Sequence, residues 1–142
     1  MKKLPKYMCI LLILLMSAAT SPAQKGYVHT ESGVRYRDLE IGSGAQVQAD
    51  SIAVIHFIGW LDDNGRKGRP FYNSYKEGQT VAFKIGIDLV IPGWNIGVVG
   101  MKVGGKRRLM VPADLGYGER GSGEVIPPDA DLIFEVELVD VR

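Results

Sequence analysis

The chain has little of what most enzymes use for chemistry. Its 142 residues include one cysteine and two histidines. A single cysteine excludes a disulfide framework and an all-cysteine metal site. Two histidines leave little for a histidine-rich metal centre or a proton relay. Seventeen basic and sixteen acidic residues give a formal charge of +1. Neither sign dominates, so nucleic acid is excluded as an expected partner. The longest apolar run, Tyr7 to Met16, is about half of the roughly 20 residues that span a bilayer. The length leaves room for one modest core.

Glycine is abundant. Its 18 residues are roughly double the average share of about 7%, and seven prolines accompany them. Such a chain turns often, which favours many short strands over long helices.

The first residues read as an address. Lys2, Lys3 and Lys6 precede the Tyr7–Met16 run, and Ser21 and Ala23 form a small-x-small cleavage pattern. Residues 1–23 are therefore expected to be a secretory signal peptide that leaves no membrane span after cleavage. Cys9 stands at the start of the apolar run, the wrong place for a lipidated cysteine. Without the leader, 14 basic and 16 acidic residues remain, a formal charge of −2, and no cysteine. The expected compartment is a bacterial periplasm or the exterior, and the clients are then exported proteins.

Residues 24–33 are polar and unpatterned, and are expected to be a flexible arm. Residues 34–142 form the expected domain. Val34 to Ile41 alternates apolar and polar residues, the period of a half-buried strand. Ser51 to Leu61 is β-branched and aromatic, a long central strand. Asp62-Asp63-Asn64-Gly65 is a hairpin turn. Residues 66–78 read as a loop or interrupted strand. Thr80–Ile85, Gly105–Val111 and Ala130–Val141 complete the strands. The one helix expected is Pro92 to about Met101, with proline in its first turn and Gly104-Gly105 as its stop. The fold class is then α+β, an antiparallel sheet of about five strands wrapped on one short helix.

No pairing of nucleophile and base emerges, so a secreted hydrolase is excluded. His56 lies within a strand and reads as a structural histidine. Asp129 and Asp131 read as turn residues. Gly121-Ser122-Gly123 lacks the lysine of a phosphate loop. No metal site and no cofactor are expected. What remains is a set of aromatic residues spread over nearly every element: Phe57, Phe71, Phe83, Trp94, Tyr117 and Phe134. Trp94 at a helix start can form the floor of a pocket. Tyr117, between two glycines, can offer a hydroxyl to a ligand.

Several segments in order carry a resemblance. They are His56-Phe57-Ile58-Gly59, Phe71-Tyr72-Asn73-Ser74, Val90-Ile91-Pro92-Gly93-Trp94, Met101-x-x-Gly104-x-Lys106-Arg107, Leu115-Gly116-Tyr117-Gly118 and Ile126-Pro127-Pro128. Over residues 34–142 the chain resembles the FKBP-type peptidyl-prolyl cis-trans isomerases. The resemblance implies a sheet wrapped on a short helix, with an aromatic pocket between them. Its substrate-binding positions would be Phe71, Val81, Val90, Ile91, Trp94, Tyr117, Ile126 and Phe134. The catalytic positions would be Tyr117, Ile91, Phe57 and Tyr72. Trp94 would lie beneath the substrate proline, while the Ile91 N–H and the Tyr117 hydroxyl would meet substrate carbonyls. The implied partners are proline-containing unfolded polypeptides, with immunosuppressant macrolides as further ligands.

Rotation about an X–Pro bond makes and breaks no covalent bond, so a site without acid–base groups suits it. Three positions depart from the family pattern. Phe57 replaces a tyrosine, Tyr72 replaces a common aspartate, and Val81 replaces an aromatic. They thin the polar edge of the site and keep its apolar core. The competing reading is a non-catalytic or weakly catalytic peptide-binding module or chaperone on the same fold.

Overall fold

Alternating strands with glycine-rich turns bury their apolar faces by packing one side of a sheet against another element. The computed structural model describes residues 26–87 and 89–142. The leader expected over residues 1–23 lies outside the described residues. The described residues form seven strands: β1 (Val28–His29), β2 (Arg35–Glu40), β3 (Ile52–Asp63), β4 (Arg66–Asn73), β5 (Val81–Lys84), β6 (Lys106–Val111) and β7 (Leu132–Val141). All pair antiparallel in one sheet, in the order β1-β2-β6-β7-β3-β4, and β5 also pairs with β3. Two helices, α1 (Ser74–Glu77) and α2 (Pro92–Gly97), complete the fold with two single 3-10 turns. No described helix is long and apolar enough to cross a membrane.

The α+β class is as expected, and the sheet is wider than the five strands read from the sequence. One addition is β1, two residues within the arm, which pair with β2. The other is β4, in the segment read as loop or interrupted strand. Its alternation is broken by Gly68 and Pro70, and its register against β3 shifts twice. A proline on a sheet edge forfeits no ladder bond that the edge needs. Helix α2 stops at Gly97, four residues short of the expected end. The Val98 N–H still bonds to the Trp94 carbonyl, and Gly100 then turns left-handed at φ +87°.

The core lies between α2 and the inner face of the sheet. Leu132, Phe134, Val136 and Leu138 alternate along β7 and are at most 1% exposed. Burying each such side chain contributes about 1.5–3 kcal/mol. Ile133, on the other face, is buried as well, beside Met110 and Trp60 in register. Helix α2 approaches β6 closely through its glycines. A Cβ at Gly97 would stand 2.8 Å from both Leu109 methyls, and one at Gly93 would stand 2.5 Å from a Val111 methyl. Arg107 secures the far end of α2. Its buried guanidinium donates to the Gly97 and Val99 carbonyls at 3.0 Å and pairs with Asp38 at 2.7 Å.

Strand β3 pairs with β5 over its first residues and with β4 over its last, both along one edge. The Phe57 N–H falls where the partner changes. Ser74, fully buried at the start of α1, fills that gap, and its Oγ accepts from the Phe57 N–H at 2.8 Å. A buried backbone donor left unpaired there would be costly. The same oxygen lies 2.8 Å from His56 Nδ1, and the His56 ring stacks on Tyr75. His56 thus has the hydrogen-bonded place expected of a structural histidine. Asp129 takes φ +58°, the turn role expected of it, whereas Asp131 is no turn residue: its carboxylate accepts the Ala113 N–H from eighteen residues away and holds the start of a 3-10 turn.

Candidate functional site

Aromatic residues from distant parts of the chain converge on the inner face. Phe57 projects from β3, Phe71 and Tyr72 from β4, and Phe134 from β7. Tyr117 stands between the two 3-10 turns. With Ser122, Val125 and Ile126 they surround a cavity of about 260 Å³. Six of the residues expected at the site are therefore brought together: Phe57, Phe71, Tyr72, Tyr117, Ile126 and Phe134.

Trp94 lies behind this wall. Its ring meets Phe57 edge-on at 4.5 Å between centroids and Phe134 edge-on at 5.5 Å. Such pairs contribute about 0.5–1.5 kcal/mol beyond burial. Trp94 is 7% exposed, and its indole N–H has no hydrogen-bond partner among the described residues. Val81, Val90 and Ile91 pack half-buried against the same core and are not in the cavity wall. Ile91 sits at the N-terminal cap of α2 in extended conformation, with φ −59° and ψ 142°.

Position 59 sets the shape of the wall. Phe71 lies across Gly59 of β3, where an added Cβ would come within 2.5 Å of its ring. The absence of a side chain lets Phe71 fold inward and meet Phe134 edge-on, 5.7 Å between centroids. Along the chain Gly59 closes the His56-Phe57-Ile58-Gly59 segment. The available signal was a lone glycine inside a β-branched and aromatic strand, a sign of close approach.

Two of the departures from the family pattern are partners. The rings of Phe57 and Tyr72 stack at 4.8 Å, 15° from parallel. A ring at position 72 thus extends the apolar wall where an aspartate would bring charge. Polar groups on the cavity are few. Burial raises the Tyr117 hydroxyl pKa above the usual value for tyrosine, so the group remains a hydrogen-bond donor at neutral pH.

Ser122 and Val125 line the cavity although neither is among the residues expected from the sequence. Both belong to the loop after Tyr117, which is closed by hydrogen bonds between Ser122 and Ile126 in both directions. Arg69 of β4 donates to the Val125 carbonyl at 2.9 Å and ties this loop to the opposite wall. The only sequence signal was the glycine pair around Ser122.

The site can enclose a small apolar ring, and Tyr72, Tyr117 and Ser122 among its lining residues carry hydroxyls. It holds no pair of titratable groups suited to proton transfer. A family model described as FKBP-type peptidyl-prolyl cis-trans isomerase matches residues 43–139. FK506-binding protein 2 of Kluyveromyces lactis is 50% identical over 91 residues, 64% of this chain and 63% of that protein. Peptidyl-prolyl cis-trans isomerase FPR2 of Saccharomyces cerevisiae is 44% identical over 114 residues, 74% of this chain and 82% of that protein. The crystal structure of FkpA from Escherichia coli is similar, with a TM-score of 0.72 and 37% identity. That match covers 83% of this chain and 52% of that one. The chain thus spans just under two thirds of the first relative.

Proposed function

The chain belongs to the FKBP-type peptidyl-prolyl cis-trans isomerases, and we propose that it accelerates X–Pro rotation in exported polypeptides by seating the proline in the aromatic cavity. The observation that carries this reading is the convergence of Phe57, Phe71, Tyr117, Ile126 and Phe134 on one cavity of about 260 Å³. In this reading Trp94 backs the proline ring. The Tyr117 hydroxyl and the Ile91 N–H meet the carbonyls flanking it.

The mechanism follows from amide physics. A planar X–Pro amide is polar and well hydrated. Twisting it toward the transition state removes resonance and reduces that polarity, which gives a barrier of about 18–20 kcal/mol. Water favours the planar form. An apolar cavity withdraws that preference, and walls shaped for the twisted bond bind it better than either planar isomer. Each 1.36 kcal/mol of such differential binding is about tenfold in rate. No nucleophile, metal or acid–base pair enters this scheme.

Export is proposed from the basic, then apolar, then small-residue order of residues 1–23. We also propose that the cavity accepts FK506, after which the first relative is named. The test of function is cis-to-trans relaxation of a short X–Pro peptide with the exported protein. Acceleration at micromolar protein is expected and is suppressed by FK506. No acceleration by folded protein overturns the isomerase reading in favour of a binding module. A reporter that folds only outside the reducing cytosol, fused after residue 33, tests export. An inactive reporter overturns it.

A further inference from the structure

Phe71 and Tyr72 wall two hollows. One is the cavity described above. The other is an open groove of about 450 Å³ on the outer side of β3 and β4. Its apolar floor is Ile58 and Trp60, which alternate with the inward Phe57 along β3, together with Pro70 of β4. Lys76 and Glu77 also line it. Lys67 Nζ also stands 4.3 Å over the Trp60 ring but is paired with Glu135 at 2.7 Å, so each positive charge here has a negative one to match it and the groove gains no preference for a charged occupant. Among the described residues β4 pairs only with β3, so its other edge presents backbone groups that no strand satisfies.

We infer that this groove is a second subsite for the client, taking an apolar side chain of the polypeptide whose proline sits in the cavity. The inference rests on the proposed function, since it requires a proline in the cavity. Continuity carries it, because the same two side chains form a wall of both hollows. A chain leaving the cavity can bend round the free edge of β4 toward Trp60 on β3. A folded second copy cannot enter both hollows around one strand edge. Passing a sheet layer of about 10 Å at ~3.3 Å per residue places the bound side chain about three or four residues from the proline. The occupant is aromatic or branched aliphatic, because Ile58, Trp60 and Pro70 offer apolar contact. The site therefore selects prolines in unfolded apolar segments.

The experiment compares X–Pro peptides that carry either phenylalanine or serine three or four residues from the proline, on each side in turn. The reading is the ratio of kcat/KM for each phenylalanine–serine pair on the same protein. The expected ratio is about fivefold or more for at least one placement, a typical gain for one buried apolar side chain. In Trp60→Thr, and independently in Ile58→Thr, that ratio falls toward one. Circular dichroism confirms folding of each variant. Ratios near one at every placement, or a ratio that survives both substitutions, overturn the subsite and leave the isomerase reading intact. Failure to accelerate any peptide overturns the isomerase reading, and the subsite falls with it.

Discussion

Replacing Gly59 by alanine adds one methyl group where the Phe71 ring now lies. The new carbon would stand 2.5 Å and 2.7 Å from two Phe71 ring atoms and 3.1 Å from Phe134. Contacts that short do not persist, so the ring or the strand must move. Gly59 lies within β3, beside a shift in its register against β4, and is not in the left-handed region, so alanine can adopt its backbone conformation. The whole cost therefore comes from overpacking, about 1–3 kcal/mol. For a domain of this size that lowers Tm by roughly 4–10 °C. Displacing Phe71 also removes its edge contact with Phe134, about 0.5–1.5 kcal/mol. The same movement takes one wall from the cavity, so kcat/KM for a short X–Pro peptide is expected to fall about tenfold, equivalent to 1.36 kcal/mol. Thermal unfolding and peptide relaxation read the two effects. A double-mutant cycle isolates the cause. In a Phe71→Ala background only the 3.1 Å approach to Phe134 remains, and Gly59→Ala should lower Tm and rate much less than in the native background. Equal losses in both backgrounds, or no loss in the native background, would refute the reasoning.

Tyr117→Phe keeps the ring and removes the hydroxyl, so kcat/KM is expected to fall about three- to tenfold, one hydrogen bond's worth, with Tm unchanged. Because burial raises the Tyr117 pKa, the wild-type rate should stay level from pH 6 to pH 9 when read by peptide relaxation; a bell-shaped profile there would contradict a mechanism without acid–base groups. Trp94→Ala empties a buried site behind the cavity and should destabilise the fold by about 3–5 kcal/mol in denaturant titration, with a loss of activity larger than that of Tyr117→Phe. Burial raises the Glu135 pKa, but Lys67 at 2.7 Å and Arg108 at 3.3 Å outweigh it and hold the carboxyl below its usual 4.5. A depressed folded pKa contributes stability above the unfolded value, and that contribution is lost as pH falls through the folded one. Acid unfolding should therefore be less steep below pH 4.5 in Glu135→Gln, and an unchanged acid limb would count against the pairing.

Much of the architecture is legible without coordinates, because period-2 alternation is a local property. The β7 residues from Leu132 to Leu138 announce their buried face by themselves. The Pro92 start of α2 is equally local, since proline without its N–H fits a first helical turn. Strand β4 is different. Arg66 to Asn73 has no clean alternation, and it is held as a strand by its pairing with β3. Strand propensity of this kind depends on the neighbour and not on the segment.

Residue types alone name the aromatic side chains available for a site, and one cysteine and two histidines give little else to build one from. The sequence also carries the family resemblance, since the motifs stand in order along the chain. Which of those residues meet depends on how the strands pair. Residues 57, 71, 117 and 134 form one cavity because β3, β4 and β7 are neighbours in the sheet, while Val81, Val90 and Ile91 remain outside its wall. Only the tertiary structure shows that Phe57 and Tyr72, two separate departures when read along the chain, are one stacked pair. The physical reason is range. Periodicity, caps and turns act over a few residues, whereas contacts between rings depend on sheet pairing across dozens of them.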